Sequence, residues 1–126
     1  MKTKLEILTE TYLFYHGDVS RRAVVKGNCK YHTEDGRRCA IGRCIEGKEM
    51  NHFMDRIKYD ESANPIFQPY MIPYMKENYQ INDVEFWLDV QKFHDCPSYW
   101  EYYGLTNLGE IAYQKLLVKY ARNSVS

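Results

Sequence analysis

The chain has 126 residues, and its 17 Lys and Arg are balanced by 17 Asp and Glu, so it lacks the overall basicity expected of a duplex nucleic-acid binder. A single domain of this length buries a working core without metals or disulfides. No run of about 18 apolar residues is present that could span a bilayer.

Glu6 and Glu10 interrupt the first 17 residues, which argues against a secretory signal and for a cytoplasmic location where cysteines stay reduced. Residues 3–16 predict an amphipathic helix with Leu5, Leu8, Tyr12 and Tyr15 on one stripe and Gly17 at its C-terminal end. Ala23 to Val25 is short and β-prone, and Gly27-Asn28 signals a turn. Cys29–His32 and Arg38–Ile45 then predict a β-hairpin, because Asp35-Gly36 supplies the positive φ angles of a tight type I′ turn. A helix follows over about residues 46–58, with Met50, Phe53, Met54 and Ile57 on one side. Residues 59–75 hold three of the four prolines and predict an ordered loop, apolar enough to cover the core or to meet a partner.

Asn82, with Glu85 three residues on, predicts a capped helix that ends near Asp95, before Pro97. Tyr99 to Tyr103 reads either as cover for the core or as an interaction surface. Thr106 predicts the cap of a last helix running to about Ala121, with Leu108, Ile111, Ala112, Leu116 and Leu117 as its apolar face. The expected architecture is a single α+β domain over 1–126, a small antiparallel sheet carrying a basic β-hairpin (about 29–45) packed with three or four helices.

Residues 21–43 carry seven basic residues against two acidic ones, a local excess of +5 in a chain of zero net charge. Arg21, Arg22, Lys30, Arg37, Arg38 and Arg43 could line one side of the hairpin and offer forked contacts to an anion, with Tyr31 stacking on a base. An anionic, nucleotide-like small molecule or a protein surface suits this patch better than duplex nucleic acid does. A solvated edge strand is the plainer explanation.

A zinc site in the cysteine-bearing hairpin needs about four ligands around one point. With a two-residue turn, Cys29 shares a face with Cys44 and His32 with Cys39; with a turn one residue longer, Cys29 joins Cys39. Neither register gathers all three thiols, so no metal and no cofactor are expected, and buried inert thiols are the simpler reading. An alternative is a cysteine-dependent hydrolase or transferase, in which Arg37 and Arg38 lower the pKa of Cys39 and His94 acts as base. Asp95, next to His94 on a helix, should point about 100° away and orient the ring poorly.

Cys29-x-Tyr31, Gly36-x-x-Cys39-Ala40-Ile41-Gly42, Val90-Gln91-x-x-His94-Asp95 and Trp100 resemble small proteins encoded by phages and prophages. The resemblance covers about a third of the chain, and Cys44 and the proline-rich stretch depart from it. It implies a viral accessory protein in the host cytoplasm that disarms or redirects host machinery, and it carries over no catalytic residue. The expected function is therefore a non-catalytic binding module for an anionic ligand or a host protein, with self-assembly into a homo-oligomer as a further option.

Overall fold

A reciprocal cap opens the first helix, α1 (Lys4–Gly17). Thr3 Oγ1 accepts from the Glu6 amide at 3.1 Å, and Glu6 Oε1 accepts from the Thr3 amide at 3.1 Å. The structure, a computed structural model, describes residues 1–25, 28–29, 33, 35–57 and 69–123. The buried face of α1 is Ile7, Leu8, Thr11 and Tyr15, while Leu5 and Tyr12 are half-buried. Thr11 is tolerated there because its hydroxyl donates to the Ile7 carbonyl at 2.8 Å.

After a 3-10 turn at Val19–Arg21, β1 (Val24–Val25) pairs antiparallel with β2 (Asn28–Cys29), Val24 opposite Cys29. At the following bend the Thr33 amide donates to the Arg37 carbonyl (2.8 Å) and the Gly36 amide to the Thr33 carbonyl (3.1 Å). Thr33 thus opposes Arg37 across three residues, and Gly36 takes the left-handed conformation at φ +87. The bend is therefore one residue longer than a two-residue Asp35-Gly36 turn.

The predicted strand Arg38–Ile45 is corrected. Past Cys39 the chain curls, with Arg43 N donating to Cys39 O (2.9 Å), Cys44 N to Ile41 O (2.8 Å) and a 3-10 helix at Gly42–Cys44. Side-chain acceptors replace a ladder here. Gln91 Oε1 takes the Ile41 amide at 3.2 Å, and Cys39 Sγ takes the Gly42 amide at 3.2 Å. The α+β class holds, with two small two-stranded antiparallel sheets among the described residues.

A 3-10 turn at Gly47–Glu49 leads into α2 (Met50–Ile57), which buries Met50 and Phe53. The proline-rich segment is a 3-10 helix over Pro69–Tyr74 that buries Met71, followed by buried Met75, which bridges to Ile45. Its earlier part, 59–68, lies outside the described residues. α3 (Val84–Asp95) stops before Pro97 as expected, but its cap is Asp83 rather than Asn82. Asp83 Oδ1 accepts from the Phe86 amide at 3.1 Å while Lys4 Nζ holds Oδ2 at 2.7 Å, tying α3 to α1.

β3 (Trp100–Glu101) and β4 (Gly104–Leu105) form a second hairpin that the sequence reading did not anticipate. Gly104 sits at φ +125 against the His16 ring, and the Leu105 amide donates to His16 Nδ1 at 3.0 Å. Thr106 caps α4 (Asn107–Asn123) as predicted, its hydroxyl accepting from the Gly109 amide at 3.1 Å. The predicted apolar face of α4 is corrected in part: Ala112, Leu116 and Leu117 pack against the core as expected and Gly109, Tyr113 and Tyr120 are buried beside them, whereas Leu108 and Ile111 stand more than half exposed. Tyr15 is at the centre of the core, edge-on to His94 (4.8 Å) and Trp100 (6.1 Å).

A Cβ on Gly109 would lie 2.4 Å from Leu105 Cδ2 and 2.5 Å from the Tyr99 carbonyl oxygen. Helix propensity alone would make Gly109→Ala stabilising by about 0.5–1 kcal/mol. Crowding should reverse the sign, with a net loss of about 1–3 kcal/mol and a lower melting temperature. A higher melting temperature would show that α4 does not pack this closely.

Candidate functional site

The arginines singled out by charge do not gather into one open patch. Arg21 lies over the Phe14 ring (4.7 Å), donates to the Phe14 carbonyl (3.1 Å) and faces Asp18 at 4.0 Å. Arg43 approaches the same ring at 5.6 Å and pairs with Glu10 at 3.2 Å. Arg22 lies over Trp100 (5.5 Å) and donates to the carbonyls of His94 (3.0 Å) and Asp95 (3.4 Å), at the negative end of α3. Arg37 pairs with Asp35 at 3.0 Å and donates to the carbonyls of Arg22 (3.1 Å) and Val24 (3.3 Å). Arg38 donates to the Ile45 carbonyl at 3.4 Å. Lys30 and Tyr31 lie outside the described residues. Arg22 and Arg37 are brought together, and Arg21 and Arg43 share Phe14; each of the five described arginines makes at least one hydrogen bond within the fold, while Arg43 Nε and Nη2 are buried with no hydrogen-bond partner among the described residues.

Arg43 belongs to a half-buried charge cluster. Glu10 Oε1 also accepts the Tyr79 hydroxyl at 2.5 Å, and Lys2 Nζ lies 2.6 Å from Oε2. Burial alone would push the Glu10 carboxyl up, yet Lys2, Tyr79 and Arg43 together hold it below the usual carboxylate range. Asp35 is held down to about 2 by the Thr33 hydroxyl and then by Arg37.

The catalytic alternative placed Cys39 beside His94, and both are fully buried. His94 Nδ1 is 2.6 Å from Asp95 Oδ1, so the expectation that Asp95 turns away from the ring is corrected. At the last residue of α3 the Asp95 side chain folds back, and Gln91 Nε2 donates to the same oxygen at 2.8 Å. Gln91 is the member the sequence reading left without a role; its place in the Gln91-x-x-His94-Asp95 run was the available signal. With Nδ1 donating to Asp95, His94 Nε2 is a buried lone pair with no hydrogen-bond partner among the described residues. Burial pushes the His94 pKa down more than Asp95 pulls it up.

A nucleophilic cysteine needs an exposed, easily ionised thiol. Burial instead pushes the Cys39 thiol far up, and the Gly42 amide only partly offsets this. Cys44 is likewise pushed up to about 11 by burial despite neighbouring Arg43. Among the described residues no group of three or more His, Cys, Asp or Glu could hold a metal ion.

The surface is apolar in an unexpected place. Leu108 is 59% exposed, Ile111 52% and Val118 53%, all on α4, and Tyr102 at the β3–β4 tip is 92% exposed. α4 carries apolar residues on two sides: Tyr113 and Tyr120 are buried, Ala112, Leu116 and Leu117 are partly buried against the core, and Leu108, Ile111 and Val118 stand in solvent. No helix among the described residues is long and apolar enough to cross a membrane. Comparison with family models, curated proteins and solved structures finds no match to this chain.

Two outcomes test this description. Iodoacetamide applied to the native protein at neutral pH should label Cys96 before Cys39 or Cys44, as peptide mapping would reveal; fast labelling of Cys39 would overturn its burial. The unfolded chain protonates His94 near pH 6.5, whereas the folded chain resists protonation until lower pH, so this contribution to stability is complete above that value and lost below it. Melting temperature should therefore fall from pH 7.5 to 5.5, by at most about 1.4 kcal/mol of stability per pH unit from this group. His94→Gln should flatten the slope, and an unchanged slope would assign the effect elsewhere.

Proposed function

We propose that this chain is a non-catalytic binding module that engages a host protein, in the manner of the phage-encoded accessory proteins it resembles. One observation carries the reading: the groups suited to chemistry are buried while large apolar side chains stand in solvent. Cys39 and His94 have no exposed surface, yet Leu108, Ile111 and Val118 are each more than half exposed along one helix. Exposed apolar side chains grouped on one element are a common feature of protein interfaces. The anionic-ligand form of the reading rests on arginines that each already contact a carboxylate or a backbone carbonyl of the fold and point in different directions, and is the weaker form. The cysteine-dependent alternative has the His94–Asp95 contact in its favour, but the full burial of Cys39 and its poorly ionised thiol stand against it.

The test is affinity capture from bacterial lysate with wild-type protein and Ile111→Glu, followed by identification of any stoichiometric partner. Capture by wild type and at least tenfold less by the exposed-site variant, at unchanged melting temperature, is the expected result. Equal capture by both, or no protein captured while native mass spectrometry finds a bound nucleotide, would overturn the reading.

A further inference from the structure

The hairpin of β3 and β4 has one backbone donor that its own ladder does not use. Across the ladder the Thr106 amide donates to the Tyr99 carbonyl at 2.8 Å, so the Leu105 amide lies on the outer edge of β4. Leu105 is buried, and an amide buried there needs an acceptor. A side chain from the last turn of α1 provides it: His16 Nδ1 takes the Leu105 amide at 3.0 Å. The close approach depends on Gly104, where a Cβ would lie 2.6 Å from His16 Cε1. The ring is held by stacking on Tyr12 (4.9 Å), which stacks in turn on Tyr113 of α4 (4.4 Å). At the tip of the hairpin fastened in this way, Tyr102 and Tyr103 stand exposed.

An imidazole nitrogen accepts a hydrogen bond only while it carries no proton. We infer that His16 is an acid-sensitive latch, which holds the β3–β4 hairpin to the end of α1 when neutral and releases it when protonated. In the neutral ring Nε2 carries the proton, so a second proton must enter at Nδ1, where the Leu105 amide points. An N–H then faces an N–H, and a buried amide is left unmatched.

No carboxylate pairs with this ring among the described residues. Asp18, just past α1, is taken by Ser20 and Arg21, and Arg21 lies over Phe14. Glu110 of α4 is taken by the Tyr12 hydroxyl, and Glu101 of β3 is exposed, opposite Gly104. On α3, His94 meets Tyr15 instead and is bonded to Asp95. The Tyr12 face and the carbonyl end of α1 both favour a charged ring. Neither gives the Leu105 amide another acceptor, so the charge and the latch exclude each other. The bond is complete above the range in which imidazoles take up a proton, about pH 6–7, and is lost below it. The latch governs how the tyrosine tip is held, and it stands whether or not the chain binds a partner.

Nuclear magnetic resonance of the whole chain at pH 8 and pH 5 is the test. At pH 8 the His16 ring should carry its proton on Nε2, with Nδ1 bare. On acidification the Leu105 amide should lose about tenfold of its protection from hydrogen exchange, corrected for the intrinsic rate, while the Val90 amide within α3 keeps its own. His16→Asn places an oxygen that does not titrate near the position of Nδ1, and should keep Leu105 protected at both pH values. His16→Phe retains a ring for stacking but no acceptor, and should leave Leu105 exchanging fast at both.

A proton on Nδ1 at pH 8, or wild-type protection of Leu105 that acid does not change, overturns the inference. So does an acid loss shared equally by Leu105 and Val90, which would be unfolding of the whole domain through His94. An acid loss of the same size in His16→Asn, or full protection of Leu105 in His16→Phe, ends it as well. Should His16→Phe fail to fold, the wild-type and His16→Asn measurements decide.

Discussion

The fold depends on how the curled segment 38–45 is seated on the C-terminal end of α3. Gln91 takes the Ile41 amide, Tyr15 donates its hydroxyl to the Arg38 carbonyl at 2.7 Å, and Arg22 covers the carbonyls that α3 leaves open at His94 and Asp95. A helix end exposes carbonyls that need donors, and a chain that leaves a sheet ladder exposes amides that need acceptors. Here the two deficits are met by one set of side chains. Because Cys39, Ala40 and Ile41 are fully buried at this junction, losing its polar contacts would leave several buried groups unmatched together.

This junction also explains why local basicity is a poor guide to a ligand site in this protein. A guanidinium group has five donors, and a small fold with several 3-10 turns has many carbonyls that no helix or sheet satisfies. Arg22, Arg37 and Arg38 serve such carbonyls, and Arg37 also pairs with Asp35 within its own turn. Arg43 is tied to Glu10 on α1, far away in sequence. The positive excess of residues 21–43 is partly an excess only in sequence, since its counter-charges include Glu10 and Asp18 from α1 and the turn that follows it.

The same distinction governs the chemistry. Cys39, Gln91, His94 and Asp95 are residue types that enzymes use, and the structure does place Gln91, His94 and Asp95 in one hydrogen-bonded set. Burial changes their meaning. A thiol raised by desolvation and an imidazole held neutral are features of a packed polar core, which specifies one arrangement of the segment over α3. The surface of α4 is the reverse case, where Leu108, Ile111 and Val118, residues ordinary for a core, are left in water.

Local signals in the sequence determined the helices. The Thr106 cap, the stop before Pro97, the Asp35-Gly36 bend and the stripe through Leu8 and Tyr15 depend on neighbours within a few residues, and each is found in the structure. What only the tertiary structure decided was which side of α4 faces inward, whether Arg38–Ile45 stays extended, and where each guanidinium group points. Close approach at Gly109 turns Tyr113 and Tyr120 inward and leaves Leu108 and Ile111 outside, although both sides are apolar enough to be core. Gln91, some 50 positions away, bonds to the Ile41 amide where the expected strand has already curled. Such outcomes follow from partners remote along the chain, and periodicity and spacing carry no information about those.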